Sequence, residues 1–387
     1  MRIGIDARFF GGEQSKGLGR YTQKLIEHLL SIDTEHTYVI FLQEEAYDDW
    51  EYKRDNVEIV KAPYPWYSLT EQLLMPLLIY KQKVNLMHFP HFNVPLLYRG
   101  PFIVTIHDLI ISRFPTSRAT TLGPLTYKLK QFGYNRVISH AAHRAKKIIT
   151  VSDYSKKDII DFFHIKKEMI SITYEAVDGF NHADLSDEDV KKILIKNKIS
   201  KPYLLYIGNA YPHKNLEVLL KMMSQLKKEG RQSFKLVFVG KEDYFYLNIQ
   251  QEAWALDVDD QIIFTGFVPD NELAALYKGS FAYIFPSKYE GFGLPPLEAM
   301  YYGTPVISSN SSCLPEVLGD AALYFDFDDV SGIINQIFSL EESSRLREEL
   351  IINGRKQIKR YSWRKMAKQT IKIYESVLAE SKTKITS

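Results

Sequence analysis

Short apolar runs alternate with amphipathic segments along nearly the whole chain. Residues 3–5, 38–42, 57–60, 86–89, 102–106, 147–151 and 170–174 read as strands. Amphipathic helices fall between several of them, as at 21–30 and 122–142. Strands that alternate with helices in this way predict a parallel sheet covered on both faces. The rhythm then restarts. Residues 203–207, 236–239, 262–264, 283–285 and 306–308 read as a second set of strands, separated by helices such as 216–228, 271–278 and 295–301. Between the two sets lies a polar, charged stretch, 178–201, which places a domain boundary near Ala183. The last amphipathic segment, 362–378, reads as a helix that Ser362 can cap. The fold class expected is α/β, with two doubly wound, Rossmann-like domains. Two such domains imply a cleft, and ligands of such sheets bind outside the carboxyl ends of the strands.

A length of 387 residues agrees with two domains, being more than one hydrophobic core usually supports. Net charge is +2, too balanced to point to a nucleic-acid binder. The single cysteine, Cys313, excludes an intrachain disulfide, fits a reducing compartment, and reads as an inert small residue. Charged Asp6 and Arg8 interrupt any signal-peptide core near the start, and no apolar run reaches the roughly 20 residues that span a bilayer. A cytoplasmic protein is therefore expected. The charge is unevenly spread. From Leu109 to Ser152 there is no acidic residue, but there are Arg113, Arg118, Lys128, Lys130, Arg136, Arg144, Lys146 and Lys147. This segment is either a solvated basic face or a surface for an anionic membrane or a phosphate-bearing acceptor.

The strongest chemical signal is Phe285-Pro-Ser-Lys-Tyr-Glu-Gly-Phe-Gly-Leu-Pro-Pro-Leu-Glu298. A strand ends near Phe285 and a helix begins near Leu294, with Pro295 and Pro296 in its first turn. Gly291 and Gly293 let the backbone approach a ligand closely. The amides of Phe292, Gly293 and Leu294 then face a phosphate at the helix N-terminus. Glu290 and Glu298 flank that anion site. Carboxylates there make sense if they take hydroxyl groups at the two ends of a ligand, a sugar at one end and a ribose at the other. A second loop, Gly208-Asn-Ala-Tyr-Pro-His-Lys-Asn215, follows the first strand of the second half, and Lys214 suits a diphosphate. A glycine-rich loop, 11–19, follows the first strand of the chain. It fits neither the NTPase loop nor the dinucleotide fingerprint, though glycines before a helix still suit a phosphate. Thr105-Ile-His107-Asp108 ends another strand, where Asp108 is placed to orient the imidazole. His88 and His91 offer two metal ligands, but no third has an evident spacing, so no metal is expected.

At these residues the chain resembles the retaining glycosyltransferases of the family 4 (group 1) type, which have the GT-B fold. The likeness runs from Gly-Ile-Asp-Ala-Arg at 4–8 to Leu-Pro-Glu-Val-x-Gly-Asp-Ala-Ala at 314–322. Its most specific element is Glu290 to Glu298 with the Ala-Met-x-x-Gly-x-Pro-Val that follows. The resemblance implies an acceptor-side domain over 1–183, a sugar-nucleotide domain over 184–362, and a helix over 363–387 crossing back to the first domain. It implies that Glu290 and the amides of Phe292, Gly293 and Leu294 hold the donor sugar, Glu298 the ribose and Lys214 the diphosphate. Gly208 and Asn209 would line the donor, His107 would sit beside its sugar, and Gly17 and Gly19 would approach the phosphate. No cofactor is implied beyond the nucleotide sugar donor.

The opening segment and the His-Phe-Pro run at 88–90 look most like mannosyltransferases of surface polysaccharide assembly. GDP-mannose is then the expected donor, with UDP-sugars next, and the partner is a glycan or lipid-linked acceptor at the cytoplasmic membrane face. Where many members carry an arginine near the lysine, this chain has Asn209 and His213. A histidine at 213 would make phosphate binding depend on pH. The alternatives are a sugar-nucleotide epimerase or phosphorylase of similar fold, or a non-catalytic carbohydrate- or nucleotide-binding protein.

Overall fold

A computed structural model describes residues 1–11, 16–115, 124–177 and 185–383. The chain forms two compact units, one of Met1–Glu175 with Ser362–Ser387, the other of Ala176–Tyr361. Ala183 lies outside the described residues.

The first unit holds strands β1 (Arg2–Asp6), β2 (Thr37–Leu42), β3 (Val57–Lys61), β4 (Leu86–Phe89), β5 (Phe102–Thr105), β6 (Lys147–Thr150) and β7 (Ile170–Ile172). Their order in the sheet is 3-2-1-4-5-6-7 and every pairing is parallel. Successive strand residues point to opposite faces. Met87, Phe89, Phe102 and Val104 share one core with Met75 and Ile79 of the helix Leu69–Lys81 and with Ile138 and Ala141 of the helix Pro124–Arg144. His88 and Thr105, between those positions, face the other way. There the helices Lys16–Ile32 and Trp363–Thr383 pack together.

Three hydroxyls tie that second face to the sheet. His88 Nδ1 is 2.7 Å from the Tyr374 hydroxyl and its Nε2 is 2.9 Å from Thr105 Oγ1, while the Tyr21 hydroxyl is 3.2 Å from the same Thr105 oxygen. Burial, helped by the charge of His107, pushes the His88 pKa down to about 3, so the ring is neutral and serves as a structural link. At the end of β1, Arg8 is buried between Asp6 and Glu71, 2.6 Å from each carboxylate, and Asn93 donates to Glu71 at 2.7 Å. This bridge anchors the inward side of the helix Leu69–Lys81.

The second unit repeats the plan with β8 (Tyr203–Ile207), β9 (Lys235–Val239), β10 (Ile262–Gly266), β11 (Ala282–Phe285), β12 (Val306–Ser309) and β13 (Ala322–Phe325), ordered 10-9-8-11-12-13 and again parallel. The strand β13 lies beyond those the pattern predicted. It is a four-residue edge strand with Leu323 and Tyr324 only half-buried, so it lacks the unbroken apolar run of a strand covered on both faces. In both sheets the order reverses once, between β1 and β4 and between β8 and β11. No described helix is long and apolar enough to cross a membrane.

Replacing Tyr374 by Phe removes the partner of a buried imidazole nitrogen. Thermal or denaturant unfolding is expected to show a loss of about 1–2 kcal/mol.

Candidate active site

In the second unit, the predicted residues gather at the β8–β11 reversal. The loop after β8 turns through Pro212–Lys214, and the loop after β11 carries Ser287 to Gly293. The two loops are joined by main-chain and side-chain bonds. The amide of Lys288 donates to the His213 carbonyl at 2.8 Å. Asn215, in a left-handed conformation, donates its side-chain amide to the carbonyls of Pro286 (3.2 Å) and Phe327 (2.6 Å). This frame brings Lys214 Nζ to 2.6 Å from Glu290 Oε1, with the ammonium 5.5 Å from the centre of the Phe285 ring. The Ser287 hydroxyl donates to the same Glu290 oxygen at 2.5 Å. The Glu290 amide donates to Ser312 Oγ at 3.0 Å, which fixes the backbone beneath the carboxylate. Lys214 is therefore one half of a charge pair with Glu290, where the sequence reading gave the two separate partners.

The helix Leu294–Tyr301 starts at Gly293, whose φ is +91°. A β-carbon there would lie 2.9 Å from Leu314 Cδ2, so both conformation and packing select glycine. Phe292 is buried, with its ring 5.3 Å from that of Tyr361, and Leu294 is half-buried. Glu298, within this helix, is 7% exposed, as is Glu290. Its Oε2 accepts from the Tyr277 hydroxyl at 3.1 Å. Gly208 is half-buried and Asn209 exposed, immediately after β8.

His213 does not behave as expected from the sequence. Its side chain is buried, and burial, together with the neighbouring Lys214 charge, pushes its pKa down to about 4 against the opposing pull of Glu290. The ring is neutral at physiological pH and supplies no titrating charge to a phosphate. Cys313 is buried, and burial holds its thiol well above the usual range.

In the first unit, His107 follows β5. Its Nδ1 lies 3.0 Å from Glu175 Oε1 and its Nε2 lies 3.0 Å from the Pro90 carbonyl. Both ring nitrogens face acceptors, an arrangement that only the doubly protonated imidazolium satisfies. Burial works against that charge, but the hydrogen bond and charge of Glu175, with the Pro90 carbonyl, outweigh it and raise the pKa. The carboxylate that orients His107 is thus Glu175. Asp108 instead accepts the Ile110 amide at 2.9 Å. The Tyr21 ring stands perpendicular to His107 with centroids 4.5 Å apart. His91 lies among the rings of Phe9, Tyr67 and Phe92. Of the glycine-rich loop, 12–15 lie outside the described residues. Gly17 is exposed with no atom within 4 Å of where a β-carbon would stand, and Gly19 is buried.

Sequence reasoning missed Glu175, Asn215, Ser287, Ser312 and Tyr277. Glu175 carried a usable signal, a lone carboxylate just beyond the end of a strand. Of the eight cations in 109–152, Arg113 pairs with Asp158 and Lys147 donates to the Glu168 carbonyl at 2.8 Å, while Arg118 lies outside the described residues.

Known proteins share both halves of this arrangement. The family model of glycosyl transferases group 1 matches residues 187–357, and that of glycosyltransferase family 4 matches residues 15–178. O-antigen chain mannosyltransferase B of Escherichia coli is 32% identical over 302 residues, covering 76% of this chain and 74% of that protein. Sucrose-phosphate synthase from Thermosynechococcus elongatus shares the fold with a TM-score of 0.74 at 19% identity, covering 98% of this chain and 100% of the other. HepE of Anabaena, solved with UDP and glucose, gives a TM-score of 0.72 at 16% identity, covering 97% and 99%. Two parallel α/β sheets, the carboxylate-bearing turn after β11 and these relatives lead to one statement: the chain belongs to the group 1, family 4 glycosyltransferases of GT-B fold.

Proposed function

We propose that this glycosyltransferase moves mannose from GDP-mannose to a growing or lipid-linked glycan of a surface polysaccharide, with retention at the anomeric carbon. The observation that carries the reading is the Lys214–Glu290 pair at the strand-order reversal, 2.6 Å apart and held by Ser287. The mannosyltransferase relative supports the choice of sugar. The unit Ala176–Tyr361 serves the donor. Glu290 and the amides of Phe292, Gly293 and Leu294 take the sugar, Glu298 takes ribose hydroxyls, and Gly208 and Asn209 border the nucleotide. The first unit serves the acceptor, with His107 donating a hydrogen bond to the reacting sugar. Contact of the basic 109–152 segment with anionic lipid would bring the enzyme to a membrane-borne acceptor.

The reaction breaks the bond between the anomeric carbon and the diphosphate oxygen. An acceptor hydroxyl attacks on the same face, and its proton passes to the departing phosphate. Negative charge grows on the diphosphate as that bond breaks. Lys214 then shifts its hydrogen bonding from Glu290 toward the leaving group, while Glu290 faces the positive charge that develops on the sugar ring. Fixed charges of opposite sign, set before the reaction begins, stabilise both ends of the breaking bond.

The donor is tested by thermal shift with GDP-mannose, UDP-glucose and the free nucleotides. A ligand at 100 times its Kd adds about 2.7 kcal/mol, so GDP-mannose should raise the melting temperature by several degrees and UDP-glucose should not. The reverse order would reject GDP-mannose. Lys214→Ala is expected to lower turnover at least about tenfold, equivalent to roughly 1.4 kcal/mol of transition-state stabilisation, and unchanged turnover would remove Lys214 from the mechanism. Because His213 stays neutral above about pH 4, His213→Gln should leave the shape of the donor KM profile from pH 5.5 to 8 as in the wild type.

A further inference from the structure

Helices on a sheet normally bury their apolar stripe and turn polar residues to water. The helix Leu69–Lys81 departs from this. Its inward side holds Glu71, Met75, Pro76 and Ile79, all buried. Its outward side carries Leu69, Leu73, Leu74, Leu77 and Tyr80, all exposed, with Leu69 at 81% and Leu77 at 64%. Positions 69, 73, 77 and 80 succeed one another at steps of three and four residues, so they form one ridge. The helix has a single carboxylate, Glu71, and it points inward to Arg8 and Asn93. Exposed Lys81 ends the ridge.

The helix Pro124–Arg144 covers the same face of the sheet, because Ile138 and Ala141 share a core with Met75 and Ile79. Its exposed residues include Lys128, Lys130 and Arg136, interleaved with Leu129 (73% exposed) and Phe132. Among the described residues of these two helices, the outward side therefore combines leucines, aromatics and cations, with no carboxylate. Apolar side chains that enter the acyl boundary while lysines and arginines meet phosphate headgroups are the pattern of an interfacial helix. A surface made to bind a second protein copy would have to bury these cations without a facing acid from the same two helices.

We propose that the first unit docks on an anionic bilayer through the Leu69–Tyr80 ridge, with Lys128, Lys130 and Arg136 in the headgroup layer. The apolar ridge supplies the insertion and the cations the preference for negative lipid. This deepens the proposed reading of a membrane-borne acceptor and rests on it for its purpose. Lipid binding itself requires neither donor nor acceptor.

The test is flotation of the full chain with vesicles of phosphatidylglycerol and phosphatidylcholine in equal parts, and with phosphatidylcholine alone. The wild type should float with the anionic vesicles and largely remain behind with the neutral ones. Leu73→Asp with Leu77→Asp should cut the vesicle partition at least about tenfold. Leu73→Gln with Leu77→Gln, which adds no charge, should cut it about threefold or more and keeps the test valid if the aspartates hinder folding. The melting-temperature rise given by GDP-mannose is recorded in parallel, so failure of the donor reading is seen separately from failure of docking. Wild-type protein that ignores anionic vesicles, or a glutamine pair that floats as the wild type does, overturns the proposal. A wild-type dimer on size exclusion that the glutamine pair converts to monomer, with no vesicle binding, would assign the ridge to a second copy instead.

Discussion

The functional part of each unit depends on one constraint of parallel sheets. Where strand order reverses, the chain segments leaving two neighbouring strands go to opposite faces, and the carboxyl ends of those strands are left with a gap between their loops. In the second unit this happens between β8 and β11, and those loops carry Lys214 and Glu290. In the first it happens between β1 and β4, whose ends lead to Arg8 and to the histidines at 88 and 91. Nothing else in the sheets brings residues so far apart in sequence to such short distances. The Asn215 amide bonds, which span the loops after β8, β11 and β13, hold the gap at a fixed width.

Four histidines show how much of the chemistry comes from environment rather than residue type. His88 is surrounded by hydroxyls that accept either tautomer, and burial keeps it neutral. His91 is neutral for the same reason within a cluster of rings. His213 is denied its proton by burial and by Lys214. Only His107 meets two acceptors, one of them a carboxylate, and is stabilised as a cation. These rings differ mainly in what lies within hydrogen-bond reach.

That dependence marks the limit of what the sequence discloses. The strands were legible because a sheet covered on both faces demands continuous apolar runs, as in Tyr38 to Leu42; β13 escaped because its edge position leaves half of it exposed. Glu290, Glu298, Gly293 and Lys214 were legible because local backbone requirements, glycine at positive φ and proline in a first helical turn, are written in adjacent residues. Their partners were not. Glu175 meets His107 from 68 positions away, Lys214 and Glu290 are 76 apart, and Tyr277 reaches Glu298 across 21. Neither Asp108 nor His213 failed as a residue choice. Each was assigned a neighbour by proximity in sequence, whereas the fold supplied a different one in space.

The first unit is closed by residues that lie after the whole of the second. Ser362 returns the chain to it, and the helix Trp363–Thr383 then packs on Lys16–Ile32 and delivers Tyr374 to His88. On the ribosome, the second unit has all of its residues before this helix exists, while one face of the first sheet still lacks part of its cover. Domains that fold as they emerge usually do so from the amino end. Here the unit made first must be completed last, and its apolar face against the helix Lys16–Ile32 is without its partner during the synthesis of some 186 intervening residues, Ala176 to Tyr361. Protection by a chaperone during that interval, or a slow late docking step in refolding, is the kinetic cost of a chain that ends where it started.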